Sequence, residues 1–311
     1  MAGDFSEKHD AHALATALED GAALCTLIAV DGAFSRAVGA QVAVRADGSI
    51  AGNMTGGCLE AALVADVARA RQTGENCVVH YGKGSQYIDI QLPCGGGVSL
   101  YVDATPDQSV IADALEKIER REAAALSFVC GPKSAWQLEP WTPSRKTGEG
   151  SHRFHLIYHP APRLMLFGHG SEMPALASLA REWGCVVEAI SPKGREIPGG
   201  TGLSLGRTPV DFEIDAWTAV ILLFHEHEWE DAILKWALDS SAFYVGALGG
   251  RKAVERRLGG LSSAGVDEHA LARLHGPIGL IPVAKDAPML AISILAEVAE
   301  RYGKLTGRLT S

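Results

Sequence analysis

Two cysteines set among glycines are the residues of this sequence best placed to do chemistry. In "GNMTGGCLEAALVADVARA", residues 52–70, Cys58 follows Gly56 and Gly57 and opens an alanine-rich amphipathic run. The first turn of a helix presents unpaired backbone N–H groups and the positive end of the macrodipole. A thiolate is favoured there over a thiol, which predicts a reactive sulfur at Cys58. Gly56 and Gly57 remove side-chain bulk and let the backbone approach an anionic ligand closely. Glu60, two residues on, is placed to exchange a proton near the sulfur, or simply to complement the dipole. The plainer alternative is a small cysteine packed at a helix start.

The second stretch is "LPCGGG", where Cys94 stands between Pro93 and Gly95, Gly96 and Gly97. Consecutive glycines at a strand entrance cost conformational entropy, which points to a close approach or a special turn. Two soft sulfurs in one glycine-lined cleft would suit a soft metal, a sulfur-bearing cofactor or persulfide chemistry. A disulfide fits poorly with the reducing compartment expected for this chain. A closed zinc site lacks a further Cys/His pair at ligand spacing. The other cysteines, Cys25, Cys77, Cys130 and Cys185, lie in apolar runs and are expected in the core.

A third group of candidates lies further along. "FGHGSEM" puts Gly168, His169 and Gly170 between an apolar run and a helical one, a partial dinucleotide fingerprint with Met173 at its third position. The next strand, "VVEAISPKGR", offers no acid at its tip for a ribose 2′-OH. Ser191, Lys193 and Arg195 follow instead, so NADP or a nucleotide-extended ligand fits better than NAD. A nucleotide-free scaffold is the alternative. In "FHEHEWED", His225 and His227 with Glu226 and Glu230 suit contact with a ligand; a metal site or a capping loop are the other readings. Arg251 and Lys252, after "YVGALGG", are positive charges able to hold phosphate, while Arg256 and Arg257 are expected to decorate a helix. His275, in "LHGPIGL", precedes a turn at the cleft edge.

The elements that must position these residues follow from periodicity. "HDAHALATALEDG" has helical spacing and a glycine to end it. "AALCTLIAV" predicts a buried strand, and "AQVAVRADGSIAG" a hairpin with a type I′ turn at Asp47-Gly48. The helix opened by "MTGGC" runs to about Gln72. "NCVVHYG", "GVSLYVDA" and "ALSFVC" predict strands, with "DQSVIADALEKIERREA" a helix before the last. Residues 132–160 turn rich in proline and charge, apart from "FHLIY", and predict a domain tail and linker with the boundary near Pro160. Beyond it, apolar strands alternate with helices, the pattern of a parallel sheet covered on both faces. The expected class is α/β: an α+β domain over 1–160, then a Rossmann-like doubly wound domain over 161–311.

Composition narrows the partners. Net charge is −9 with no Lys/Arg-rich block, which argues against nucleic acid and anionic membrane. No apolar run approaches the roughly 20 uncharged residues of a membrane span. The opening segment has no basic, apolar leader, so a cytoplasmic protein with reduced thiols is expected.

Together "GSIAGNMTGGCLEAAL", "LPCGGGVSLYVD", "RLMLFGHGSEMPALASLAREWGCVVEAISP", "FYVGALGGRK" and "LHGPIGL" resemble the XdhC/CoxI family, whose members are accessory proteins of molybdenum hydroxylases such as xanthine dehydrogenase. The resemblance covers nearly the whole chain. It implies binding of the molybdenum cofactor (molybdopterin), its protection during sulfuration, and handover to an apo molybdenum hydroxylase. It also implies that Cys58 and Cys94 meet the molybdenum or sulfur end, with Glu60 beside them. Arg36 and Gly39 stand as counterparts of the family's first turn, Gly249 belongs to its "YVGALG" motif, and Gly250 takes the place of a common serine. A cysteine desulfurase and a second copy of the chain are the further partners to consider. The contrasting readings are an NADP-dependent oxidoreductase and a nucleotide-binding regulatory protein.

Overall fold

The computed structural model describes residues 9–52, 54, 58–85, 95–150, 152–192, 194, 200–204, 212–225 and 227–309, with Cys58 and His227 described by their backbone alone. The chain divides into two compact units, Met1–Pro160 and Ala161–Ser311.

The first unit opens with α1 (His12–Asp20), which ends at Gly21 in the left-handed region, φ +61°. There follow β1 (Ala23–Asp31), β2 (Gln41–Val44), β3 (Ile50–Ala51), α2 (Cys58–Thr73), β4 (Cys77–Gly82), β5 (Gly97–Asp103) and α3 (Gln108–Glu119). Then come β6 (Ala124–Phe128), β7 (Gln137–Glu139), β8 (Gly148–Glu149) and β9 (Phe154–Tyr158). An antiparallel sheet of order β3-β2-β1-β5-β4 forms its centre. Alternation along the strands sends Cys25, Leu27, Val98, Leu100 and Val102 to the face under α2, where Leu59, Leu63 and Val67 meet them. Leu24, Ala43 and Tyr101 go to the opposite face, under α1, α3 and a second sheet of order β7-β6-β9-β8.

The β2–β3 connection is not a type I′ turn. Gly48 has φ +84°, but Asp47 is not among the described residues with positive φ. Arg45 N–H donates to the Ser49 carbonyl at 2.9 Å and Gly48 N–H to the Arg45 carbonyl at 3.2 Å. That is a three-residue loop closed by a left-handed glycine, and the Asp47 carboxylate accepting from Ser49 N–H at 2.8 Å stabilises it. Nor is the segment 132–160 a linker in its described residues, because β7, β8 and β9 all pair into the second sheet. Aromatic packing explains this. The Phe128 ring lies 5.2 Å from Tyr101, 4.7 Å from Trp136 and 5.4 Å from Phe154, and Trp136 Nε1–H donates to Asp103 at 2.7 Å. Tertiary burial there overrides a loop-like composition.

The second unit contains β10 (Arg163–Gly168), α4 (Glu172–Trp183), β11 (Val186–Ser191), β12 (Thr201–Gly202), β13 (Thr218–Leu223) and α5 (Glu230–Leu238). It continues with β14 (Tyr244–Ala247), α6 (Arg251–Ser263), α7 (Glu268–Leu271), β15 (Leu274–His275) and α8 (Ala287–Leu305). All its strand pairs are parallel, in the order β12-β11-β10-β13-β14-β15. The strands therefore step outward one way from β10 and then the other from β13, the doubly wound order of a Rossmann fold. Strand composition follows from burial on both faces. Leu164, Leu166, Ala219, Ile221 and Leu223 pack with Leu176, Ile294 and Val298 from α4 and α8. Met165, Phe167, Val220 and Leu222 pack with Ile233, Leu234 and Leu261 from α5 and α6.

At the reversal point β10 and β13 approach closely. Gly168 has φ +152°, and a Cβ there would lie 2.6 Å from the Leu223 carbonyl oxygen. By contrast, Gly259 in α6 would meet nothing within 4 Å. Gly168→Ala should therefore lower unfolding stability by about 3 kcal/mol, through strain and overpacking. Gly259→Ala should raise it by roughly 0.5–1 kcal/mol through helix propensity. Urea unfolding of the two variants against the parent checks both signs.

Candidate cofactor-binding site

In a doubly wound sheet the ligand crevice lies beyond the carboxyl ends of the strands, at the point where the strand order reverses. Here that point is the gap beyond Gly168 and Leu223. His169 follows β10, and its half-buried ring stands edge-on to Phe224 with centroids 6.2 Å apart. Phe224 in turn stacks on Trp229 at 6.1 Å. His225 is exposed at the same edge, at the end of β13; the side chain of His227 and residue Glu226 lie outside the described residues. Ser191 is buried at the end of β11, and its carbonyl accepts from Gly194 N–H at 3.0 Å and Leu203 N–H at 2.9 Å. Lys193 and Arg195, expected to favour phosphate, lie outside the described residues.

The two glycines of the Gly-His-Gly turn serve the protein in different ways. Gly168 admits the β13 backbone. Gly170, at φ +93°, stands where a Cβ would be 2.9 Å from the Glu172 carboxylate. Glu172 is the acidic residue of the first turn of α4, so a negative charge already complements that helix end. A pyrophosphate at the usual place over α4 would meet this carboxylate.

Across the same edge, β14 runs through Leu248 and Gly249 into α6. Arg251 is exposed at the first position of α6 and Lys252 is exposed beside it. Gly249 has φ +139°, and a Cβ on it would fall 2.9 Å from Ala253 Cβ and 3.2 Å from Arg257 Nη1. Arg257 overturns the expectation of a surface residue. It is 3% exposed, and its Nε and Nη2 donate to the Glu230 carboxylate at 2.8 and 2.6 Å. Glu230 is fully buried in this pair, which removes it from any metal site with His225. Burial pushes the Glu230 carboxyl up, against the pull of the Arg257 hydrogen bonds and charge. No cluster of three or more metal-ligating side chains occurs among the described residues.

A second buried carboxylate sits at the outer end of the sheet. Glu297 of α8, 8% exposed, accepts from Tyr244 Oη at 2.9 Å and Gly279 N–H at 2.6 Å, and pairs with His275 Nδ1 at 3.2 Å. His275 stacks on the Tyr244 ring at 4.6 Å. Pairing with Glu297 fixes the Nδ1 side of the ring, which leaves Nε2 as its other polar atom. Sequence reasoning placed Glu230 beside a ligand or metal and not in a buried pair, and it missed Glu297. The available signal was a lone acid within an apolar helical run, "AISILAEV", because a buried carboxylate requires partners.

In the first unit, Cys58 is the first residue of α2, a long helix with Glu60, half-buried, in its first turn. Gly56, Gly57 and Cys94 lie outside the described residues, and with them the expected meeting of Cys58 and Cys94. Gly95 has φ +68° with open space beside it, while a Cβ on Gly96 would strike the Asp31 carbonyl. Gly97 would meet His80 Nε2 at 2.9 Å. Two of these glycines are thus required by the protein's own packing. Arg36 is exposed in the β1–β2 loop. Of the four cysteines expected in the core, Cys25 and Cys185 are buried and Cys77 is partly so, but Cys130 is exposed. Burial pushes the Cys185 thiol up to about 12, so it is an inert packing group.

The fold and the ligand-edge geometry define an α/β protein with a Rossmann unit and a separate cysteine-bearing unit. The model of the XdhC Rossmann domain matches residues 164–298, and that of the XdhC and CoxI family matches residues 15–82. The chain belongs to the XdhC/CoxI family. It is 34% identical to the molybdenum cofactor insertion chaperone PaoD of Escherichia coli, over 90% of this chain and 83% of that protein. It is 21% identical to a probable xanthine dehydrogenase subunit from Bacillus subtilis, over 91% and 93% of the two chains. A crystal structure of a xanthine dehydrogenase from Bacillus halodurans shares the fold, with a TM-score of 0.70 at 21% identity and 91% coverage of each chain. No helix among the described residues is long and apolar enough to cross a membrane.

The Glu297 cluster gives a pH-dependent expectation. Burial opposes its ionisation, but His275, Gly279 N–H and Tyr244 together hold its carboxyl below the usual range. A lowered folded value contributes stability above the unfolded value, about 4.3, and loses it as pH falls through the folded one. Glu297→Gln should therefore cost about 1–2 kcal/mol at pH 7. Thermal unfolding across pH should show this gap closing below about pH 4.

Proposed function

We propose that this chain is a molybdenum-cofactor insertion chaperone serving a molybdenum hydroxylase such as a xanthine dehydrogenase. The observation that carries the reading is the 34% identity with the molybdenum cofactor insertion chaperone PaoD, sustained over 90% of this chain. The sequence motifs shared with the XdhC/CoxI family support it. In this reading the chain binds, shields and hands over its ligand, acting as a chaperone or sulfuration platform more than as a turnover enzyme.

The residues present fit such a ligand in kind. Cys58 begins α2, where free backbone N–H groups and the helix dipole favour a thiolate. A thiolate is a soft donor suited to molybdenum or to a transferable sulfur. The bound cofactor supplies the metal centre that the client uses. Cys58 and Cys94 are assigned as the sulfur or metal contacts, Glu60 as a proton-exchanging neighbour, and Gly56, Gly57 and Gly95 as backbone that admits the ligand, while Gly96 is held by the close approach of Asp31. Arg36 is assigned to an anionic group. In the Rossmann unit, Gly168, His169, Gly170, Ser191, His225, His227, Gly249 and Arg251 are assigned to the crevice for the phosphate-bearing part. Protection during sulfuration, contact with a cysteine desulfurase, a homodimeric state and a cytoplasmic location belong to the same reading.

Anaerobic titration with molybdenum cofactor tests it, together with activation of an apo molybdenum hydroxylase. Cys58→Ala and Cys94→Ala should each weaken binding by at least about tenfold, roughly 1.4 kcal/mol. Cys130→Ser, altering an exposed thiol outside the assigned site, should leave binding unchanged. Cofactor binding indifferent to both glycine-flanked cysteines would remove them from the site. A wild-type chain that neither binds the cofactor nor activates the client would sink the chaperone reading.

A further inference from the structure

We propose that the turn between β14 and α6 is a phosphate-binding subsite. The backbone N–H groups that start α6, the Arg251 guanidinium and the buried guanidinium of Arg257 would take the oxygens of a phosphate or diphosphate. The identity of the ligand rests on the cofactor reading above; the site does not.

The first observation is the helix start itself. α6 is 13 residues long, its N-cap Gly250 is extended (φ −78°, ψ 178°), and no side chain caps its free N–H groups. Its first turn holds no acid and begins with two exposed cations, Arg251 and Lys252. Cations at a helix N-terminus oppose the macrodipole, an unfavourable arrangement that a bound anion reverses. α4 and α5 also lack a side-chain cap, but each of the other long helices of this unit has an acid at its start. α4 carries Glu172, α5 carries Glu230 and Asp231, and α8 is capped by Asp286, which accepts from Met289 N–H at 2.8 Å. A Cβ on Gly250 would meet nothing within 4 Å, so the space over the turn is open on that side.

The second observation is independent and lies beneath the turn. Arg257 is 3% exposed, and Nε and Nη2 are satisfied by Glu230 and the Leu248 carbonyl. Nη1 is buried with no hydrogen-bond partner among the described residues. A buried N–H left unpaired is costly and rare in a native interior. The position of a Gly249 Cβ is 3.2 Å from Nη1 and 3.4 Å from Nη2, so the unused nitrogen faces the turn. Gly249 keeps that approach free of a side chain. Glu230 neutralises Arg257 and aims its fork, acting as a positioning residue. The net positive charge facing a ligand then comes from Arg251, Lys252 and the helix end, a balance suited to a dianion.

Calorimetric titration of the full chain with inorganic pyrophosphate tests the proposal. The parent should bind at one saturable site. Gly250→Asp puts a good capping carboxylate where the backbone and the open space accept it, so its Tm should equal or exceed that of the parent. Its pyrophosphate affinity should nevertheless fall by at least about tenfold, and that of Arg251→Gln by about threefold or more. Arg257→Lys keeps a charge for Glu230 but removes the fork, and should also weaken binding. Glu172→Gln, at the start of α4, should leave affinity unchanged. No saturable binding by the parent, or unchanged affinity in a folded Gly250→Asp variant, would overturn the subsite. So would tighter binding in Glu172→Gln, which would place the anion at α4. Normal pyrophosphate binding by a chain that activates no client would support the subsite while sinking the chaperone reading, so the two failures are distinguishable.

Discussion

The Rossmann unit depends on one close approach, that of β10 to β13 where the strand order reverses. The Gly168 Cα faces the Leu223 carbonyl with no room for a Cβ. With this contact in place, the parallel ladder from Arg163–Thr218 to Gly168–Leu223 holds register to its carboxyl end. His169 and Phe224 then leave the carboxyl edge of adjacent strands with their rings in edge contact, and the turn after β14 lies at the same edge. The glycine that reads as a nucleotide fingerprint is thus required first by the sheet. Any ligand-facing role it plays is secondary to that packing constraint.

Buried charge is the second organising feature. Glu230 from α5 and Arg257 from α6 form a closed pair between helices that cover the same face of the sheet. Removing either partner would strand the other in an apolar setting, which typically costs more than the pair itself contributes. Such a pair is weak evidence for stability and better evidence for specified geometry. It fixes the guanidinium beneath Gly249. Glu297 plays a comparable part on the opposite face of the sheet, where it gathers Tyr244, His275 and the backbone of Gly279.

Much of this architecture was legible in the residues. Continuous apolar runs such as "RLMLF" and "AVILLF" announce strands buried on both faces, and their alternation with amphipathic helices gives the parallel sheet. The α1 stop at Gly21 and the α2 start at Cys58 were equally plain. Legibility failed where local composition and tertiary context disagree. Residues 132–160 look like a linker because proline and charge dominate them, yet the Phe128–Trp136–Phe154 stack draws them into a sheet. Asp47-Gly48 suggests a type I′ turn, but one additional loop residue lets Asp47 stay at negative φ. Arg257 reads as a surface arginine in "ERRL", since nothing nearby in sequence reveals that Glu230, 27 residues earlier, lies against it. At the candidate site the residue types were legible, while their division between ligand and packing roles was not: Gly96 and Gly97 are crowded by Asp31 and His80, not by open space.

Helix starts differ within the Rossmann unit in what they offer a ligand. Every helix N-terminus presents the same partial positive charge and the same unpaired N–H groups, so the residues placed there decide what it attracts. α4 answers its own dipole with the charge of Glu172, and α8 is capped by the Asp286 carboxylate, which accepts from Met289 N–H. α2 begins at Cys58 with Glu60 in its first turn, so an acid complements that end as well. α6 begins with glycine and two cations, and has an arginine nitrogen waiting below, so its deficit is of negative charge from outside the chain.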